Sequence, residues 1–108
     1  MDEWRNPGYR HFLHEHGRCI VAAHGGCQGP IDPAHTEHGG MSQKGADSSC
    51  VPLCRAHHRQ ADGQDPLPGG LSRGAGKAAF EAFYGVALKR EAQVWWLAFQ
   101  IYREADAA

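Results

Sequence analysis

The chain has 108 residues, 42% hydrophobic and 21% charged, which describes one small globular unit and excludes an intrinsically disordered chain. A net charge of −1 with histidines neutral excludes the uniformly basic surface common in nucleic-acid-binding domains, while leaving room for a local basic patch. No run of about 18 apolar residues is present, which excludes a hydrophobic membrane-spanning helix.

The first predicted element is a short helix in "NPGYRHFLHEHG". Asn6 caps it, Pro7 suits its first turn and Gly17 ends it. Tyr9, Phe12 and Leu13 share one face at three- and four-residue spacing. "RCIVAA", residues 18–23, reads as a short strand, "HGGCQGP" as turn chemistry, and a second strand leaves the turn near Ile31. Residues 39–49 form a glycine-rich loop by composition. "CVPL" is a further short strand candidate, and "RAHHRQAD" starts a helix directly after Cys54. After the loop "GQDPLPGG", the chain is helical in pattern from Ser72 onward, broken once at Gly85. Phe80, Phe83 and Tyr84 make one apolar face; Val94, Trp95, Leu97, Ala98, Ile101 and Tyr102 make another. Trp95, Trp96, Phe99 and Tyr102 are expected to cover a core that the glycine-rich middle cannot fill. The sharper alternative is a docking helix for a partner or a dimer mate.

The 14 glycines leave little side chain to bury in the middle of the chain, and a domain built so often leans on a metal or on disulfides. The N-terminus has no signal-peptide core, so the expected compartment is the cytoplasm, where the four cysteines read as thiolate ligands. Eight histidines, most of them between His11 and His58, strengthen the expectation of metal. Cys19 and Cys27 flank the first turn, and Cys54 with His57 forms a C-x2-H pair. Two such pairs brought together give the four tetrahedral ligands that zinc requires. His24 could substitute in the looser first pair, and Cys50 is also near. A paired Cys19–Cys27 would instead indicate a small redox protein.

His58 directly follows His57, so on a helix it points about 100° away and cannot easily serve the same ion. Asp62, four residues on, shares its face. That pair can hold a divalent cation, or can simply be a solvated helix face. His35, at the end of a predicted strand and upstream of the glycine-rich loop, is a candidate base for taking a proton from water.

"AH" at 34–35, a glycine-rich loop with "QKGAD", and "VPLCRAHH" together resemble the HNH endonuclease superfamily, and within it the phage-associated group that includes a RecA-dependent nuclease and related uncharacterised domains. The resemblance spans roughly residues 9–88. It implies an α+β, zinc-stapled ββα-metal (His-Me finger) core over about 18–66, an N-terminal helix, and C-terminal helices over about 72–105, in a single domain. It implies His35 as general base, Asp47 as the acidic residue that orients the loop or the base, and His58 as the first ligand of a catalytic Mg2+ or Mn2+. Cys19, Cys27, Cys54 and His57 match the structural zinc set. Two departures stand out. Close relatives often carry histidine where this chain has Asp62, a carboxylate that would favour a harder ion. Many members also carry a ligand just before the base, where this chain has Ala34.

The implied activity is metal-dependent hydrolysis of phosphodiester bonds in DNA, as an endonuclease or nickase, leaving a 5′ phosphate. Lys44, Arg55, Arg59 and Arg73 are the nearest cations for backbone phosphates. A recombination or phage protein is the partner that the group suggests. The competing expectation is a zinc-stabilised binding module that kept the fold and lost the chemistry.

Overall fold

In the computed structural model, which describes residues 2–37, 45–70 and 76–107, four helices surround a two-stranded antiparallel sheet, an α+β arrangement. Helix α1 (Pro7–His16) starts as its sequence predicts. The Asn6 side chain accepts the Tyr9 N–H at 3.0 Å, and the Gly17 N–H closes the last turn on the Leu13 carbonyl. Gly17 has an ordinary φ but no room: a Cβ there would lie 2.6 Å from Pro52.

Strands β1 (Ile31–His35) and β2 (Cys50–Cys54) pair from Ile31↔Cys54 to His35↔Cys50. Residues 18–23, expected as a strand, are instead a turn and a single 3-10 turn at Ala22–His24. The reason lies in β2. The Ile20 N–H does reach the Pro52 carbonyl at 3.2 Å, but Pro52 has no N–H to give back, so no ladder can propagate. The hairpin expected between 18–23 and the strand at Ile31 is therefore replaced by a pairing between β1 and β2, across a connection of 14 residues, 36–49.

Helix α2 (Arg55–Ala61) follows β2 without a break. The turn that carries Cys27 supplies its missing acceptors: the Pro30 and Gln28 carbonyls take the N–H groups of Arg55 and Ala56. Gly29 allows this close approach, since its φ is +81° and a Cβ would sit 2.7 Å from that of Arg55. Helix α3 (Gly76–Tyr84) ends at Gly85, whose φ of +66° is left-handed, and α4 (Leu88–Ala107) follows. Glu81 then accepts the Leu88 N–H and caps α4 from the preceding helix.

Two buried clusters result. One packs Val51, Leu53, Ala61 and Leu67 against Phe80 and Tyr84 of α3 and Leu88 and Ala92 of α4. The other stacks Tyr9, Phe12 and Leu13 of α1 on Phe99, with Trp95 and Trp96 alongside. The outward half of each predicted apolar stripe is not core. Phe83, Val94, Leu97, Ile101 and Tyr102 are all exposed.

Candidate functional site

Two sites flank the strand–helix corner at Cys54. On one side, Cys19, Cys27, Cys54 and His57 converge, with their ligand atoms all within 4.8 Å of one another. His57 Nδ1 lies 3.0 Å from the Cys54 sulfur, 3.4 Å from that of Cys19 and 3.7 Å from that of Cys27. A tetrahedral zinc with ordinary bond lengths would hold sulfur and nitrogen about 3.6 Å apart. The donor set and the spacing therefore fit a structural zinc ion.

The surroundings fit as well. Backbone N–H groups of Val21 and Cys54 point at the Cys19 sulfur, and those of His57 and Gln28 at the Cys54 sulfur. Burial lowers the pKa of His57, against an opposing effect of the Gly25 backbone, and Nδ1 of the ring faces the sulfurs. Burial also pushes the Cys19 thiol up, and burial with the neighbouring sulfurs pushes Cys27 up to about 12. Burial opposes ionisation of Cys54 too, but the N–H groups aimed at it prevail and lower its pKa. Three thiols this close resist joint ionisation until a cation joins them. Of the alternative ligands, His24 stacks edge-on against Tyr84 and Cys50 lies at the other end of β2, so neither belongs to this group.

On the other side, a cavity of about 750 Å³ is lined by Arg10, Asp32, His35, His58, Asp62 and Lys77, among others. His58 uses both ring nitrogens: Nδ1 lies 3.1 Å from Asp32 and Nε2 3.1 Å from Asp62. Arg55 grips Asp32 through two nitrogens, and Lys77 holds the second oxygen of Asp62. The result is a chain of alternating basic and acidic side chains, Arg55–Asp32–His58–Asp62–Lys77. The hydrogen bond to Asp62 raises the pKa of His58, against the opposing effect of burial and with help from Asp32. Burial pulls the Asp62 carboxyl upward, but His58 and Lys77 hold it below its usual value.

His35 opens on the same cavity. Its Nε2 lies 2.9 Å from Asp47 Oδ1, while Asp47 Oδ2 accepts the Asn6 N–H at 2.7 Å and meets Arg10 at 3.2 Å. With the Nε2 proton on the Asp47 side, Nδ1 is the basic nitrogen of the ring. Asp47 is 1% exposed. Burial alone would raise its carboxyl, but the Asn6 N–H, His35 and Arg10 bring it below the usual carboxylate range. Cys50 completes a second close group with His35 and Asp47.

The structure thus brings together the four residues of the expected zinc set, and separately His35 with Asp47 and His58 with Asp62. The expected phosphate contacts fare differently. Arg55 and Arg59 are engaged with Asp32 and Asp65, while Lys44 and Arg73 lie outside the described residues. Asp32, Arg10 and Lys77 were not legible as site residues. Asp32 sits in "DPAH", three residues before His35, but only the return of α2 over β1 shows that it meets His58.

In comparisons with known proteins, the chain matches no family model, no curated protein and no solved structure. No described helix is long and apolar enough to cross a membrane.

Proposed function

We propose that the protein is a metal-dependent endonuclease or nickase of HNH type, with a ββα-metal core formed by β1, β2 and α2. The observation that carries this reading is one cavity holding both a carboxylate-oriented histidine, His35 on Asp47, and a separate histidine–carboxylate pair, His58 on Asp62. Proton abstraction and cation binding are then assigned to different imidazoles facing one substrate space.

Asp47 holds the His35 ring and fixes its tautomer, so Nδ1 takes the proton from an attacking water. Asp47 is itself fixed by Asn6 and Arg10, which ties the base to the start of α1. His58 Nε2 and Asp62 would hold a divalent cation, and oxygen donors beside a single imidazole suit Mg2+ or Mn2+. Asp32, on the opposite ring edge, accepts a hydrogen bond from Nδ1 and orients His58, as carboxylates do behind ligand histidines. When bound, the cation supplies charge stabilisation at the scissile phosphate. Arg10 and Lys77 line the cavity wall, but each is already paired with a carboxylate, Asp47 and Asp62, as Arg55 and Arg59 are with theirs. The Cys3His zinc site positions the first residues of α2 and so aims His58.

The competing reading, a binding module without catalysis, draws on the same charge chain. Lys77 already pairs with Asp62, the carboxylate that a cation would use, and Arg55 with Asp32 behind His58. Nicking of supercoiled plasmid in Mg2+ or Mn2+ decides between them, with zinc content measured in parallel. The parent is expected to nick, and His35→Ala to lose about 10²-fold or more while keeping its zinc. A parent with a full zinc complement and no cleavage would leave the binding module as the function. Equal rates for parent and His35→Ala would remove His35 as base.

A further inference from the structure

The outward face of α4 carries an apolar stripe that no described element covers. Val94, Leu97 and Ile101 are 54%, 56% and 58% exposed. At about 100° per residue, Arg90, Val94, Leu97, Ile101 and Glu104 fall within an arc of roughly 80°. Leu88, Ala92 and Phe99, which face the body of the protein, lie on the opposite side of the helix. A shallow groove runs along the N-terminal half of the stripe, bounded by Ala87, Lys89, Arg90, Gln93, Val94 and Leu97.

We propose that this stripe is the interface of a two-fold symmetric dimer, in which α4 pairs antiparallel with α4 of a second copy. The stripe is complementary to itself in that orientation. With Leu97 near the two-fold axis, the 4-3-4-3 spacing sets Val94 beside Ile101 of the second copy and Arg90 beside its Glu104. Symmetry repeats both contacts. Ile101 of each copy then enters the groove beside Val94 of the other. Parallel pairing would instead oppose Arg90 to Arg90 and Glu104 to Glu104. It is this charge order, cation at one end and anion at the other, that selects a second copy as occupant. The interface is one helix pair, below the roughly 800 Å² per partner of a standard complex, so association is expected at micromolar concentrations or above. The inference is independent of the nuclease reading.

Sedimentation equilibrium of the zinc-loaded full chain over a wide concentration range tests it. The parent is expected to pass from monomer to dimer as concentration rises. Leu97→Glu, which places two carboxylates near the axis, is expected to raise the dissociation constant about tenfold or more. Arg90→Glu and Glu104→Arg are each expected to weaken the dimer, and the double variant to return to within about threefold of the parent. All these positions are exposed, and unchanged circular dichroism and zinc content show that the variants fold. A chain that stays monomeric up to about millimolar concentration overturns the proposal. So does a dimer indifferent to Leu97→Glu, or one whose charge-reversed double variant is no tighter than the singles.

Discussion

Asp47 is a single carboxylate on which three donors converge: the Asn6 N–H, the Arg10 guanidinium and the His35 ring. Replacing it with asparagine keeps the shape but turns one acceptor into a donor facing donors, at a cost of about 2–3 kcal/mol. The sign of the pH dependence follows from its depressed native pKa. An unfolded aspartate titrates near about 3.9, so the stabilisation from Asp47 is present above that value. It is lost as pH falls through the lower native value. Asp47→Asn should therefore unfold at lower temperature than the parent at neutral pH, and the gap should close below about pH 4. Paired thermal melts from pH 7 to pH 3 check this; a gap that stays constant would show that the charge of Asp47 contributes nothing. His58 illustrates the same scale differently. One turn of helix separates its partner Asp62, but the partner on its other nitrogen, Asp32, is 26 residues away in the chain.

At the scale of elements, α2 is too short to be stable alone, with seven residues. It persists because Cys54 at its N-cap accepts the His57 N–H, because the Gln28 and Pro30 carbonyls cover its first donors, and because the Cys3His cluster pins its first turn. Cys54→Ser should abolish stoichiometric zinc binding and lower the melting temperature by about 15 °C or more, given how much structural zinc contributes to small folds. Atomic absorption on purified protein and calorimetry measure the two effects. Retention of one zinc per chain in Cys54→Ser would move the metal elsewhere. The turn over residues 24–30 belongs to the same unit, since the Gln28 and Pro30 carbonyls bond the start of α2 and Gly29 makes room for it.

Across the whole molecule, α4 joins the two buried clusters, lending Leu88 and Ala92 to one and Phe99 to the other. The aromatic cluster includes Cys50, at the opposite end of β2 from Cys54, and shares no residue with the Cys3His group. Phe99→Ala is therefore expected to cost about 3–5 kcal/mol while zinc stays bound. A melt that drops by about 15 °C at unchanged zinc content would show this separation. Loss of zinc together with the phenylalanine would mean that the two clusters unfold as one.

Short-range features were legible in the sequence because their partners lie within one turn. Asn6 and Gly17 bound α1, Cys54 and His57 share the first turn of α2, and Asp62 falls on the His58 face; local geometry settles each of these. The first ligand pair was less determined, since His24 stood between Cys19 and Cys27 with equal chemistry. Only the fold of the turn sends the His24 ring to Tyr84 and the sulfurs to His57. The strand expected at 18–23 had the right residues but the wrong neighbour, a β2 edge with proline where a donor was needed. Asp32 behind His58, Arg10 behind Asp47, and the division of α4 into a buried and an exposed face were decided by tertiary structure alone. Side-chain periodicity identifies apolar positions, but which of them meets another surface depends on chain segments far away in sequence.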